Sequence, residues 1–191
     1  YWNRFRGPNG TGIADSTIKL RDIQKKDIIW KLDLPGKGHS SPVIWGGFLY
    51  LTCMNEDSSN FHVLSIHRET GNISWSREMA YQTFSKHDFN SFASPSATVD
   101  KDRVYLSWAT PKHYFVAALD HAGEWLWKKD LGPFKSQHGV GVSPVLYQDK
   151  LIIANDQLGQ SFIVALDKTS GSTIWKTKRR SDKAAYSTPC V

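Results

Sequence analysis

Long apolar runs are missing from this sequence. The longest unbroken apolar stretches are short, such as FIVAL at Phe162 to Leu166. A bilayer-spanning helix needs about 20 consecutive apolar residues, so the sequence predicts no transmembrane segment. No basic start precedes an apolar stretch, and no signal peptide is visible. The opening YWNRFRG is typical of a mature or trimmed N-terminus.

Cysteine is scarce, and the usual catalytic spacings are absent. Cys53 and Cys190 form neither a CxxC pair nor a metal cluster. Each lies in a predicted strand, where a buried thiol acts as a small apolar group. The alternative is a disulfide between the two cysteines, which no spacing in the sequence supports. The seven histidines show no HxH or HExxH spacing, and no GxSxG elbow occurs. The sequence therefore predicts no metal site and no catalytic residues.

Acidic residues are fewer than basic ones, and the formal net charge is +6. The densest basic cluster is KTKRR at Lys176 to Arg180. It is compatible with a nucleic-acid or acidic-lipid patch. A solvated edge strand, which charge protects against pairing, explains it more simply. We therefore expect no nucleic-acid partner.

A repeat with a period near fifty residues is present instead. Trp30, Trp75, Trp127 and Trp175 end similar phrases and stand 45, 52 and 48 residues apart. In the last three phrases a glycine stands four residues earlier, and these glycines are Gly71, Gly123 and Gly171. Prolines preceded by Ser or Thr repeat independently, at Pro42, Pro95, Pro144 and Pro189. Two markers with one period indicate a repeat architecture.

Each period contains four short strand signals between turn residues. In order of the chain they are SSPVIW, FLYLTC, FHVLSIH and ISWSREM, then ASPSATV, RVYLSW, YFVAALD and EWLWKKD, then VSPVLY, KLIIAND, FIVALD and TIWKTK. No window shows a sustained helical period with caps. Four antiparallel strands per repeat predict an all-β fold, a β-propeller of four-stranded blades.

The phrase ALDKTSGSTIW, Ala165 to Trp175, joins the third and fourth strands of a repeat. Its Asp suits a turn, its Gly suits a positive φ, and its Trp has a ring that can cover apolar area between blades. The phrase resembles the tryptophan-docking motif of the pyrroloquinoline-quinone (PQQ) repeat propellers, A-x-D-x-x-T-G-x-x-x-W. Trp30, Gly71, Trp75, Gly123, Trp127, Gly171 and Trp175 are the predicted structural docking residues.

The resemblance implies a whole propeller of seven or eight blades in a periplasmic or secreted protein. Members of the family range from quinone-dependent dehydrogenases to non-catalytic scaffolds. A dehydrogenase of this type would use PQQ with Ca²⁺, a catalytic Asp and, in the alcohol dehydrogenases, a vicinal Cys-Cys pair. The sequence has no vicinal cysteines and no acidic cluster at the strand entries. No cofactor is therefore predicted, except PQQ with Ca²⁺ if the chain is part of such an enzyme.

Two units are expected along the chain. Residues 1–29 form an N-terminal segment, and residues 30–191 form a partial propeller. The phrase WNRFRGPNGTG resembles one that often opens PQQ-like proteins, and we expect a structural latch; an acidic ligand held by Arg4 and Arg6 is the alternative. Three full blades, an outer strand DIIWKLDL and an inner strand AAYSTPCV make an incomplete ring. We expect the remainder of the propeller, or a second copy, at the open edges.

Ligands of propellers usually lie where the inner strands begin. The entries to these strands offer four polar side chains at comparable places, His39, Asn90, His138 and Tyr186. They form a candidate site for a small molecule or ion, although such groups also line a wet channel or satisfy loop amides.

The resulting hypothesis is a non-catalytic binding or scaffold module that presents loops and edges to a protein partner. The alternative is a fragment of a PQQ-dependent quinoprotein dehydrogenase. A third hypothesis is carbohydrate binding, since exposed Trp and Tyr side chains stack on sugars.

Overall fold

The fold consists of three four-stranded antiparallel sheets. The computed structural model describes residues 1–14 and 23–190. Sheet 1 contains β1 (Val43–Trp45), β2 (Phe48–Met54), β3 (Asn60–His67) and β4 (Ile73–Ala80); sheet 2 contains β5 (Thr98–Val99), β6 (Val104–Thr110), β7 (His113–Leu119) and β8 (Trp125–Asp130); sheet 3 contains β9 (Val145–Tyr147), β10 (Lys150–Asn155), β11 (Phe162–Asp167) and β12 (Thr173–Lys178). Each sheet keeps its strands in chain order.

The predicted fold class is confirmed. The sheets match the three predicted repeats strand for strand, and they do not close a ring, as expected for an incomplete propeller. The helical content of the described residues is one 3₁₀ turn at Lys25–Asp27.

Burial explains why the middle strands carry continuous apolar runs. In β6, six of seven residues are buried, because both faces of the strand meet other parts of the protein. The outer strand β4 alternates between exposed and half-buried residues instead. All six residues of β12 are exposed, so the lysines of KTKRR lie on an outermost strand.

Two apolar cores lie between the sheets. The first joins sheets 1 and 2 around residues such as Tyr50, Phe61 and Trp108. The second joins sheets 2 and 3 around residues such as Tyr105 and Leu166. Because each core is shared, neighbouring sheets stabilise one another.

The two predicted partial strands at the ends of the repeat region are wrong. Residues 27–34 and 184–190 are not strands, and Val191 lies outside the described residues. A strand needs a neighbour for its backbone hydrogen bonds, and neither segment has a ladder partner within the described chain. Trp30 and Leu32 nevertheless pack on the outer face of sheet 1, against a small cluster that includes Cys53.

The N-terminal residues contact two sheets. Trp2 forms an antiparallel bridge with Ile44, and Tyr1 stacks on Trp45 with ring centroids 4.3 Å apart. The Val99 amide donates to the Asn3 carbonyl oxygen at 2.8 Å. The latch remains a prediction, and its residues 15–22 lie outside the described part of the chain.

The two arginines of this segment serve local turns. Arg4 is buried and donates from Nε to the Gly7 carbonyl oxygen at 3.2 Å. Arg6 donates to the Thr11 carbonyl oxygen at 3.1 Å. Both guanidinium groups therefore already have partners within the segment.

Candidate functional site

Three tryptophans each contact the turn of the repeat that follows them in the chain. The indole N–H groups of Trp30, Trp75 and Trp127 donate to carbonyl oxygens at 2.8, 2.8 and 3.1 Å. Each acceptor lies in the turn between the third and fourth strands of the sheet that follows. The acceptors are the carbonyl oxygens of Arg68, His121 and Lys168. The indole rings lie against Gly71, Gly123 and Gly171 in the same turns.

A β-bulge precedes the tryptophan of each outer strand, and these are Trp75, Trp127 and Trp175. The register of the ladder shifts beside Ser65, Ala118 and Ala165, which are the partners of Trp75, Trp127 and Trp175. A bulge bends the strand and re-aims the side chain that follows. The same local distortion in three repeats therefore gives the indole rings the same direction. Trp175 is 38% exposed, since no further sheet follows among the described residues.

Small hydroxyl residues connect the starts of the inner strands. The Ser41 amide donates to Ser96 Oγ at 2.8 Å, and the Ser96 amide donates to Ser143 Oγ at 2.9 Å. The Ser143 amide then donates to Thr188 Oγ1 at 3.4 Å. This series corrects the proline alignment: Ser96, and not the Ser94 that precedes Pro95, is equivalent to Ser41 and Ser143.

Three of the four candidate binding residues lie together. Asn90, His138 and Tyr186 line a depression of about 370 Å³ with His87 and Phe89, here called the entry-face pocket. His138 lies between its neighbours, with ring centroids 5.3 Å from His87 and 6.1 Å from Tyr186. Two imidazoles, an amide, a phenol and a phenyl ring therefore face one space.

Hydrogen bonds and close backbone contacts fix this pocket. Asn90 donates from Nδ2 to the His138 carbonyl oxygen and accepts at Oδ1 from Ser94. A β-carbon at Gly139 would lie 2.9 Å from Asn90 Nδ2. Ser136 Oγ and the Tyr186 hydroxyl are 3.0 Å apart and share a hydrogen bond. The loops that follow β4 and β8 therefore hold the pocket with the segment that contains Tyr186.

His39 lies in an adjoining hollow of about 570 Å³, which Asn90 also lines. Its backbone amide donates to the Ala93 carbonyl oxygen and to Ser91 Oγ, both at 3.1 Å. The hollow also contains two lysines and two acidic residues, and these are Lys37, Lys86, Glu56 and Asp88. His39 is thus next to the entry-face pocket without lining it.

Two residues of the pocket were not predicted from the sequence. His87 and Phe89 belong to the long loop after β4, three and one residues before Asn90. The Phe89 side chain is 88% exposed, which is unusual for a large apolar residue. The phrase HDFN carried the signal, because an aromatic residue among polar ones in a loop is a frequent binding feature.

A polar network connects all three sheets at the opposite end of the strands. The Tyr50 hydroxyl and His121 Nδ1 are 2.8 Å apart, and Asp100 Oδ2 accepts from Lys168 Nζ at 2.9 Å. The Tyr105 hydroxyl also donates to Asp100 Oδ2, at 3.2 Å. Burial would raise the pKa of Asp100, but hydrogen bonds from Lys168 and two backbone amides outweigh it and lower that pKa.

Both cysteines are free thiols. Cys53 is fully buried on the outer face of sheet 1, and burial raises the pKa of its thiol to about 11. Cys190 is exposed.

The described residues contain no group of three His, Cys, Asp or Glu side chains arranged to hold a metal ion. Within the same part of the chain, no helix has the length and apolar character that crossing a membrane requires.

Comparisons with known proteins confirm the resemblance to PQQ-like repeat propellers. The family model described as outer membrane protein assembly factor BamB matches residues 112–191, which is less than half of the chain. A polyvinylalcohol dehydrogenase from Pseudomonas sp is 24% identical over 92% of this chain. The chain spans 28% of the length of that relative.

Solved structures show the same fold at low sequence identity. A europium-containing methanol dehydrogenase matches with a TM-score of 0.60 and 15% identity, over 84% of this chain and 29% of its own. A quinohemoprotein alcohol dehydrogenase from Comamonas testosteroni matches with a TM-score of 0.53 and 20% identity, over 75% and 21%. This likeness shows the fold of the chain, which is that of four-stranded β-propeller sheets.

Proposed function

We propose that this chain acts as a binding module whose entry-face pocket takes a small polar ligand that contains a ring. The observation that carries the proposal is the pocket of His87, Phe89, Asn90, His138 and Tyr186, which hydrogen bonds hold in place. Its exposed aromatic rings suit stacking on a sugar or a planar ring. Its imidazole, amide and hydroxyl groups suit hydrogen bonds to the edge of that ligand.

The pocket fits only part of what a PQQ–Ca²⁺ pair requires. Calcium takes six to eight oxygen ligands, mostly from carboxylates, carbonyl groups and water. No carboxylate is among the described residues that line the entry-face pocket. Its aromatic and donor groups suit a planar organic anion, but these residues do not form a calcium site. The cofactor therefore enters only with the second proposal below.

Binding is tested by titration of the full-length chain with mono- and oligosaccharides, and separately with PQQ plus Ca²⁺. We expect shifts in the NMR signals of His87 and His138 on ligand addition, and we expect Tyr186→Ala to weaken binding. Tyr147→Ala is the matched control, because Tyr147 is a similarly exposed tyrosine beside the β9–β10 turn. Equal binding by both variants, or unchanged histidine signals with every ligand, would rule out this function.

The second candidate is a section of a quinoprotein dehydrogenase. The observation in its favour is the similarity to a polyvinylalcohol dehydrogenase over 92% of this chain. In that case the carboxylates and the catalytic groups would come from other repeats. Stoichiometric PQQ binding together with dye reduction by alcohols would establish the enzyme and replace the binding module. An absence of both would remove this candidate.

The repeated indole contacts are proposed to be docking contacts that set the spacing between sheets. By extension, we propose that the Trp175 face of sheet 3 receives another repeat of the same kind, either from this protein or from a second copy. Trp175 pairs with Ala165 as Trp127 pairs with Ala118, so it has the same place in the sheet. Sedimentation distinguishes the sources, because a dimer that Trp175→Ala dissociates indicates a second copy.

We also propose a periplasmic or secreted location. The support is the matched family, whose description names an outer membrane protein assembly factor. Fractionation of cells that produce the full-length protein tests this location, and recovery in the cytoplasm would contradict it.

A further inference from the structure

We propose that a separate pocket between sheets 2 and 3 binds a small organic monocarboxylate with an aromatic or short aliphatic body. The pocket has a volume of about 720 Å³ and shares no lining residue with the entry-face pocket. The rings of Phe84, Phe134 and Phe162 and the side chain of Leu158 give it apolar walls. We call it the intersheet pocket.

A difference between equivalent residues explains why space opens here. In sheet 2, Trp108 lies opposite Phe115 and packs against the Phe115 ring with centroids 5.3 Å apart. In sheet 3, Asn155 has the same register position, opposite Phe162. Replacing an indole by a short amide removes a large filling group beside Phe162. The core between sheets 2 and 3 is therefore less filled at this end than the core between sheets 1 and 2.

The second observation concerns the buried side chain of Asn155 itself. Its side chain is 2% exposed, and neither its Nδ2 nor its Oδ1 has a hydrogen-bond partner within the described structure. A buried polar group without a partner is costly and calls for an explanation. Asn155 stands directly across from Phe162, which lines the intersheet pocket.

Backbone hydrogen bonds hold the walls of the pocket. The Lys135 amide donates to Gln157 Oε1 at 2.8 Å, and the Leu158 amide donates to the Lys135 carbonyl oxygen at 2.8 Å. Gln157 Nε2 donates to the Gln160 carbonyl oxygen at 3.2 Å. The two loops above the apolar walls are thus bound to each other, and a ligand would find the site already formed.

The charge at the rim selects an anion. Lys135 and Lys176 line the pocket, and Lys178 lines an adjoining hollow of about 340 Å³. Lys176 Nζ lies 3.7 Å from the centroid of the Phe162 ring, where apolar wall and cation meet. No acidic residue is among the described residues that line either space. A carboxylate on an apolar body would pair with the ammonium groups while its body packs on the phenyl rings.

A matched pair of ligands tests the requirement for charge. The probes are 4-phenylbutyrate and its neutral analogue 4-phenylbutanamide, titrated calorimetrically into the full-length chain. Loss of a charge-assisted contact is worth about tenfold in affinity. We expect the carboxylate to bind at least that much more tightly than the amide. Equal affinity for the two probes, or no binding of the carboxylate, would overturn the proposal.

A matched pair of variants tests the location. Lys176→Met keeps the length of the side chain and removes its charge, and we expect about a tenfold weaker binding of 4-phenylbutyrate. Lys128→Met is the control, because Lys128 has the equivalent position in sheet 2, with Nζ 4.8 Å from the centroid of the Phe115 ring, and does not line the pocket. Unchanged affinity is expected for that variant. Equal effects of the two substitutions would place the carboxylate elsewhere and overturn the assignment.

Discussion

The indole ring of Trp127 lies directly against Gly171 of the following repeat, so closely that a β-carbon at Gly171 would be 2.6 Å from ring atom Cε3. The same indole donates its N–H to the Lys168 carbonyl oxygen at 3.1 Å. Gly171 also has a φ of +72°, which favours glycine. Two constraints therefore act on one position, one from its own backbone and one from the neighbouring sheet.

Substitution of Gly171 separates these constraints. We expect Gly171→Ala to destabilise the fold by about 1–3 kcal/mol more than a control substitution, because the ring must move to admit the methyl group. The control is Gly46→Ala, since Gly46 has a φ of +58° and nothing within 4 Å of an added β-carbon. Urea unfolding of both variants gives the difference. Equal losses of stability would mean that the ring contact contributes nothing.

The ion pair of Asp100 and Lys168 makes stability depend on pH. The pKa of Asp100 is lower in the fold than in the unfolded chain, so its carboxylate stabilises the fold above its unfolded pKa of about 4. That contribution is lost as the pH falls through the folded-state pKa. We expect Asp100→Asn to cost about 1–3 kcal/mol at pH 7 and much less at pH 2.

The measurement is urea unfolding at both pH values. Asp102→Asn is the control, because Asp102 has only a 4.0 Å contact with Lys101 and both side chains are well exposed. Pairs of that kind contribute little to stability, so this variant should resemble the wild type throughout. An Asp100→Asn variant whose deficit is the same at pH 7 and pH 2 would contradict the assigned ion pair.

The two thiols are expected to react at different rates. At pH 8 Cys190 is accessible, whereas Cys53 is buried and its pKa of about 11 keeps it protonated. A thiol reagent such as dithionitrobenzoate should label one cysteine rapidly and the second only in denaturant. Cys190→Ser should abolish the rapid phase. Rapid labelling of both cysteines in the native protein would contradict the burial of Cys53.

Strand positions could be predicted because local signals and tertiary burial agree in this fold. Segments such as FIVAL and FLYLTC are rich in apolar, β-branched and aromatic residues, are bounded by turn residues, and lie in the middle of a sheet. The segment DIIWKLDL, predicted as an outer strand, has equally good local signals but is not a strand. Ladder hydrogen bonds need a neighbouring strand, and a propensity within the segment cannot supply one.

Register was harder to predict than strand existence. The Pro95 marker suggested that Ser94 is equivalent to Ser41 and Ser143, but hydrogen bonds show that Ser96 has this role. Two additional residues before β5 shift the marker without disturbing the strand. Hydrogen bonds between repeats fix this register, so the residue pattern within a single repeat does not reveal it.

The candidate site was predictable only in outline. The rule that ligands lie at strand entries found Asn90, His138 and Tyr186, because these follow directly from the repeat. His87 belongs to a loop whose path depends on bonds to distant residues, such as the one from Asn90 to the His138 carbonyl oxygen. The intersheet pocket depends on Asn155 standing where sheet 2 has Trp108, which becomes visible only when strand registers are compared.

Hydrogen exchange of the indole N–H groups tests most directly whether each repeat is held by a tryptophan of the one before it. Trp75 and Trp127 donate to carbonyl oxygens of the next sheet, whereas no hydrogen bond from the Trp175 indole is found among the described residues. The signals can be assigned with Trp→Phe variants. The account predicts that the Trp75 and Trp127 indoles exchange at least about tenfold more slowly than Trp175. Similar rates for all three would contradict it.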